Sequence, residues 1–230
     1  MTLSDLFSRR RKADSVDADG APVDGPAHPT KAIPKLLRVL AGRQHALLLD
    51  LGPVVGPNVT FFGEQLGCKI FVENIFKDVD RHAREGKLAE LPAFLARRFA
   101  QEDASVDGIL CWDLLDYLDK PSAQALTKQL ARILKPQGTL LALFASTSVD
   151  PAASPEYVKY AVIDETTMQY RPYPGVQRRQ KPWSNRDIER VFEPLRVSEQ
   201  FLLKTNLREV LFRKPAAAVA TPEAPAASTR

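Results

Sequence analysis

The stretch Ala46-Leu-Leu-Leu-Asp50-Leu-Gly52-Pro-Val-Val-Gly56-Pro-Asn58 constrains this chain more than any other. A short apolar run that ends in a Gly/Pro turn suits a strand buried on both faces, as in a parallel sheet covered by helices. Such a sheet needs crossovers, and the flanking sequence supplies them. Before the run, Ile33, Leu36, Leu37 and Leu40 recur at helical spacing. After the turn, residues 58–66 read as a helix, 68–73 as a second strand and 76–85 as a charged helix. Residues 91–99 either continue as helix or form a short strand, and 106–112 are the next buried strand.

The second half keeps the alternation and then breaks it. Asp119 caps a helix with Pro121 in its first turn, where a missing N–H does no harm. Leu126, Leu130, Ile133 and Leu134 form its buried face, Pro136-Gln-Gly138 stops it, and 139–144 are another buried strand. A helix at 185–192, opened by Ser184 or Asn185, precedes two strands at 197–204 and 209–213. Their link through Thr205-Asn206 is too short for a crossover, so they pair antiparallel. The expected architecture is α/β and Rossmann-like: a mostly parallel sheet, helices on both faces and a C-terminal antiparallel hairpin.

Composition sets the domain limits. Residues 1–30 are polar, with Arg9, Arg10, Arg11 and Lys12 in a row, and residues 214–230 are rich in Ala and Pro. Neither end can bury enough apolar surface to offset the entropy of ordering its backbone, so both read as disordered tails around one domain at 31–213. The net charge is +4. The Arg9–Lys12 run is either a contact for nucleic acid or an anionic membrane surface, or a solvated tail. Cys68 and Cys111 fall inside strands and read as small buried hydrophobes. The N-terminal stretch lacks the apolar segment of a signal peptide, and no apolar run is long enough to span a membrane. A cytoplasmic location is the expectation.

In open parallel sheets, ligands bind beyond the carboxyl ends of the strands, where strand order reverses. Gly52 and Gly56 let a ligand approach the backbone of the turn. Glu73, at the end of the second strand, can accept hydrogen bonds from both hydroxyls of a ribose. Asp50 either meets a ligand amino group through water or holds the turn by accepting backbone amides. Trp112 covers a base, lines a substrate pocket or packs as core, and Asp113 reads as a polar wall of that pocket. The histidines His28, His45 and His82 show no metal-ligand spacing, and no side chain stands out as a catalytic base.

Asp50-Leu-Gly52…Gly56 resembles the first motif of class I S-adenosylmethionine-dependent methyltransferases, and Glu73 is similar to their ribose-binding acid. Residues 106–118 resemble the fourth-strand motif, and Leu134-Lys-Pro-Gln-Gly138 resembles the turn before the fifth strand. The resemblance covers about residues 31–213, closest in kind to the type 11 and type 25 domains. It implies S-adenosylmethionine as cofactor, with Asp50, Gly52, Gly56, Glu73, Trp112 and Asp113 around it and an unidentified methyl acceptor. Three positions depart from the pattern. Val54 replaces the middle glycine, residues 91–99 contain no acid, and Tyr117 stands where a histidine is common.

The segment 146–183 lies where this fold usually covers its site, and its Pro172 and Pro174 predict a fixed loop path. Its Tyr157, Tyr160, Tyr170, Tyr173 and Trp183 are interleaved with Arg171, Arg178, Arg179 and Lys181. Those cations form either a surface for an anionic or nucleic-acid partner, or the solvated basic face of an exposed strand and loop. Three functions follow: methyl transfer, a degenerate methyltransferase-like protein that binds a partner through this segment, or a nucleic-acid-associated factor using Arg9–Lys12 and the Arg171–Lys181 region.

Overall fold

The computed structural model describes residues 26–146, 157–180 and 182–216. The chain enters through β1 (Ala27–Pro29) and α1 (Ala32–Ala41), whose Ile33, Leu36, Leu37 and Leu40 face inward as their spacing predicts. Composition puts residues 27–29 in the polar tail. In the structure they form a strand, because a later hairpin supplies their backbone partners. Then come β2 (Leu47–Asp50) and α2, which opens as Gly56–Asn58 and continues in wider π-helical turns over Val59–Gln65. β3 (Lys69–Val72), α3 (Ile75–Arg84), α4 (Leu91–Leu95) and β4 (Val106–Trp112) follow. A 3₁₀ turn (Leu114–Tyr117) leads to α5 (Lys120–Ile133) and β5 (Leu134–Ala145). The chain continues through β6 (Tyr157–Asp164), β7 (Thr167–Tyr173) and α6 (Asn185–Val191), and ends in β8 (Arg196–Leu202) and β9 (Leu207–Arg213).

The central sheet runs β3-β2-β4-β5-β9-β8. Its first four strands are parallel and the last two pair antiparallel, as the short Leu203–Asn206 link requires. Because β3 lies on one side of β2 and β4 on the other, strand order reverses between β2 and β4, with Asp50 beside Leu110. The expected crevice of the sheet therefore opens at the end of the Asp50 strand. Neighbouring residues on each strand serve opposite faces. Leu48 packs with α1 and with Phe61 and Phe62, while Leu49 packs with Ile75, Phe76 and Val79. Each such side chain contributes about 1.5–3 kcal/mol when fully buried. Among the described residues no helix is long and apolar enough to cross a membrane.

Two local expectations change. Residues 91–99 contribute a short helix and no strand, so β3 is an edge of the sheet. Pro136-Gln-Gly138 does not separate helix from strand. The helix has already ended at Ile133, Leu134 pairs with Val106, and the three residues form an irregularity inside β5 with Gln137 at a φ of 61°.

A larger change concerns the segment 146–183. Its prolines argue for a loop path over a continuous helix, and the alternative reading is an exposed strand and loop; its described part folds into the β6–β7 hairpin, which takes β1 onto its other edge as a second sheet, β1-β7-β6. Backbone pairing and inward-facing tyrosines outweigh the prolines: Pro172 sits within β7 opposite Val158. Glu209 fastens this second sheet to the first. Its fully buried carboxylate accepts from Thr30 Oγ1 at 2.5 Å and from the Lys31 and Ala32 amides at 2.8 and 2.9 Å. These amides open α1, so a side chain from the last strand does the work of an N-cap. Replacing Glu209 with Ala strands two buried donors and a part-buried one, and we expect a loss of about 2–4 kcal/mol in urea unfolding. A loss below about 0.5 kcal/mol, the level of an ordinary surface change, would show that the clamp is idle.

Candidate functional site

At the crevice, the Asp50 carboxylate is buried and surrounded by donors from three elements. Oδ1 accepts the Gly52 amide at 2.9 Å and the Trp112 indole Nε1–H at 2.6 Å, and Oδ2 accepts Asn58 Nδ2–H at 3.3 Å. Asn58 in turn donates to the Tyr160 carbonyl at 2.9 Å and accepts the Val162 amide at 2.8 Å. One side chain at the start of α2 thus bonds both the acid of the turn and the backbone of β6. Burial raises the Asp50 carboxyl from 3.8 to about 6, against the lowering effect of its Trp112, Gly52 and Asn58 donors. The bond from the Gly52 amide is the turn-holding contact read for Asp50.

Trp112 ends β4 with a φ of 50°, an uncommon left-handed conformation for a bulky residue. That backbone turn brings the indole over Gly52. A methyl group at Gly52 would stand 2.8 Å from Trp112 Cδ1 and 3.0 Å from Nε1, so no side chain larger than hydrogen fits there. The ring also stacks on Tyr160 of the hairpin, with centroids 5.3 Å apart and planes 9° from parallel. The glycine that would let a ligand approach the turn instead accommodates the chain's own tryptophan. Val54, in place of the middle glycine, points outward and is 44% exposed, so it does not crowd the turn.

Glu73 lies at the end of β3 as expected, and both its oxygens are engaged. Arg98 Nη1 donates to Oε2 at 2.8 Å and Gln101 Nε2 to Oε1 at 2.7 Å, while Arg98 Nη2 reaches the Glu73 carbonyl at 2.9 Å. Arg98 Nε donates to Asp78 Oδ2 at 2.7 Å, which fixes the guanidinium between two acids. Gly56 opens α2 in the first-turn position and carries no contact to the acids.

Asp113 is fully buried and paired with Arg179, whose Nη2 donates to Oδ2 at 2.7 Å and to the Tyr117 hydroxyl at 3.2 Å. Burial raises Asp113 to about 6, with Arg179 and the Tyr160 hydroxyl pulling the other way. Asp116 accepts the Ala145 amide at 2.8 Å; burial and then the Asp113 charge raise it to about 7. The same two influences drive the Tyr117 phenol upward. Around this group the aromatic residues of the 146–183 segment face inward. Tyr157 stacks on Phe76 at 3.6 Å between ring centres, Tyr173 meets both, and Trp183 Nε1–H donates to the Leu115 carbonyl at 3.1 Å. Of the four cations expected to form a partner surface, Arg179 is directed into the core, Arg171 is half-buried and Arg178 is exposed. Lys181 lies outside the described residues.

The structure brings Asp50, Gly52 and Trp112 into direct contact, with Asp113 next in the chain, and leaves Glu73 in a separate cluster. Asn58, Arg98 and Gln101, which the sequence did not single out, complete both groups together with Tyr160, which it read only as one aromatic of the covering segment. Asn58 closes the Gly/Pro turn and was the one with a local signal. Arg98 and Gln101 meet Glu73 across 25 and 28 residues of chain, and Tyr160 meets Asn58 across 102, so no spacing rule announces them.

No family model matches the chain, and no curated protein matches it. Among solved structures, the PH0226 protein from Pyrococcus horikoshii OT3 aligns with a TM-score of 0.48 at 16% identity, covering 80% of this chain and 89% of that one. An S-adenosylmethionine-dependent methyltransferase from Clostridium acetobutylicum aligns at 0.48 and 12% identity, with the same 80% and 89% coverage. The 1,6-didemethyltoxoflavin-N1-methyltransferase of Burkholderia thailandensis aligns at 0.46 and 13%, covering 80% of this chain and 77% of its own. The strand order of the chain itself, four parallel strands closed by an antiparallel pair, makes the architecture Rossmann-like, of the class I methyltransferase kind. At its crevice the residues expected around S-adenosylmethionine bond to the chain itself. The acid that would meet the ammonium is bonded to Trp112, the glycine lies beneath an indole, and the acid that would meet the ribose is bonded to Arg98 and Gln101.

The three raised carboxyls predict a pH dependence. An acid whose folded pKa exceeds its unfolded value destabilises the fold increasingly as pH rises from the unfolded value, and the effect levels off above the folded one. Here the window runs from about 4 to about 7. Thermal unfolding should therefore show a higher midpoint near pH 5 than near pH 8, a difference on the order of a few kcal/mol at most. Asp116→Asn should flatten the upper part of the curve. A parent midpoint that climbs toward pH 8 would contradict the assignment.

Proposed function

We propose that this chain is a binding or regulatory protein built on a methyltransferase-type fold, in which methyl transfer has been lost. The observation that carries the reading is the Trp112 indole, seated over Gly52 and donating to Asp50 at 2.6 Å. A nucleoside ligand would have to displace a buried charge-assisted hydrogen bond and the stack on Tyr160 before making any contact of its own. Such a bond contributes about 1.5–3 kcal/mol, and removing its donor leaves the Asp50 carboxylate short of a partner. The ion pair and amide on Glu73 support the same reading, since they satisfy both oxygens that a ribose would need.

On this reading the segment over the crevice closes the site and presents an outer surface. The exposed Arg178 belongs to that surface and suits an anionic partner, whereas Arg179 serves the interior. Methyl transfer is the competing function, and it differs in one measurable respect. Titration calorimetry with S-adenosylmethionine and with S-adenosylhomocysteine at millimolar concentration is expected to give only heats of dilution. Saturable binding that disappears in Glu73→Ala would restore the enzyme reading and overturn this one.

A further inference from the structure

Residues 174–180 follow β7, belong to no strand, and bridge as a strap from α3 to the 3₁₀ turn after β4. Polar contacts fasten them at both ends. Asp80 Oδ1 on α3 accepts the Val176 and Gln177 amides at 2.5 and 3.2 Å. Gln177 Nε2–H donates to the Tyr117 carbonyl at 2.9 Å, and the Gln180 amide to the Asp116 carbonyl at 2.6 Å. Val176 turns outward and is 47% exposed, so apolar burial adds little to this hold.

Arg179 is the part of the strap that enters the interior. Its side chain is 8% exposed, and its Nη2 donates to Asp113 Oδ2 and to the Tyr117 hydroxyl. The fit is incomplete. Asp116 Oδ2 lies 3.8 Å from Arg179 Nε, beyond hydrogen-bond reach. Arg179 Nε, Asp113 Oδ1 and Asp116 Oδ1 are buried without a hydrogen-bond partner. So is the hydroxyl of Tyr157, whose ring meets that of Tyr117 edge-on. Buried polar atoms are as a rule bonded, so four unmatched ones in one neighbourhood mark bonding capacity left over for a ligand.

The charges point the same way. Asp113 and Asp116 are both buried, and the Tyr160 hydroxyl also faces Asp113. Arg208 acts on Asp116 only through its field, because its Nη groups go to Asn185 Oδ1 and to the Ala145 and Trp183 carbonyls. Among the described residues, Arg179 is therefore the one cation bonded to either acid. A guanidinium carries five N–H donors in a planar fork, enough to meet two carboxylates at once. Tethered through the strap, the fork of Arg179 bonds one carboxylate and stops short of the other.

We propose that Arg179 is an internal pseudo-ligand: it fills a site for a small guanidinium compound, formed by Asp113, Asp116, Tyr117 and Tyr157, and the strap is the latch that keeps the site shut. A guanidinium free of the tether settles between both carboxylates as Arg179 withdraws and the strap lifts. The ring of Phe76, stacked on Tyr157, closes the space from the side and restricts the ligand to a small one. The site is separate from the Asp50 turn. The proposal thus goes beyond the reading of that turn, and stands whichever way the S-adenosylmethionine titration falls.

The test uses the full chain with methylguanidinium, and methylurea as its neutral isostere. Calorimetry follows binding, and hydrogen exchange follows the Val176, Gln177 and Gln180 amides. In Arg179→Ala these amides should exchange about tenfold faster than in the parent. Methylguanidinium at about 10 mM should bind that variant saturably and slow the exchange again, since it fills the vacated place under the strap. Asp80→Asn loosens the strap and leaves the acids intact, so it keeps the test decisive if Arg179→Ala fails to fold. It should bind methylguanidinium about tenfold more tightly than the parent does, and exchange should then speed up, because Arg179 is displaced. Adding Asp113→Asn to Asp80→Asn should abolish this binding. The proposal is overturned if methylguanidinium binds neither single variant, in which case ordered water meets the four atoms. It is equally overturned if methylurea binds as well, or if the Asp113→Asn combination binds like Asp80→Asn alone.

Discussion

The arrangement above the central sheet depends on one buried carboxylate. Asp50 ends a strand that both faces of the domain cover, so its charge has no water to turn to and must be met by protein donors. The donors come from the turn, from the end of the neighbouring strand β4 and from the helix that follows. Meeting them fixes the path of residues 51–58, the left-handed twist at Trp112 and the orientation of Asn58. Through Asn58 the same constraint extends to β6, because its amide spans the acid and the hairpin backbone.

A second buried network meets the first from the other side. Arg179 enters the interior to pair with Asp113, and the tyrosines around it pack on Phe76 and on one another. Two buried charges cost more to desolvate than an exposed pair and return that cost only when hydrogen bonds are well made. The network therefore contributes registration of the covering segment more than raw stability: with Arg179 held on Asp113 and Tyr160 held on Trp112, the hairpin has one seat. Glu209 adds a third tie, from the last strand to the start of α1, which places β1 beside the hairpin.

These ties are separate from what holds the architecture. The parallel strands, the strand-order reversal and the closing hairpin are held by apolar packing on both faces of the sheet, and none of that packing requires a ligand. What differs is local. A tryptophan at the end of β4 reaches the glycine turn, and an arginine after α4 reaches the acid at the end of β3.

The sequence by itself determined the alternation of strands and helices, the parallel core with an antiparallel end, and the position of the crevice. Each of these follows from local chemistry: apolar runs of strand length, helical periodicity at Leu126, Leu130 and Ile133, caps at Asp119 and Ser184, and a link too short for a crossover. It also placed Asp50, Gly52, Glu73 and Trp112 near strand ends, but left open which groups of the chain Asp50 and Trp112 would bond. Only the tertiary structure decided that. The Trp112 indole, Arg98, Gln101 and Tyr160 reach their partners across tens of residues of chain, and such contacts leave no period or spacing to read. The same reason hid the hairpin within residues 146–183, whose prolines argue locally for a loop while its tyrosines find their partners only in the folded core.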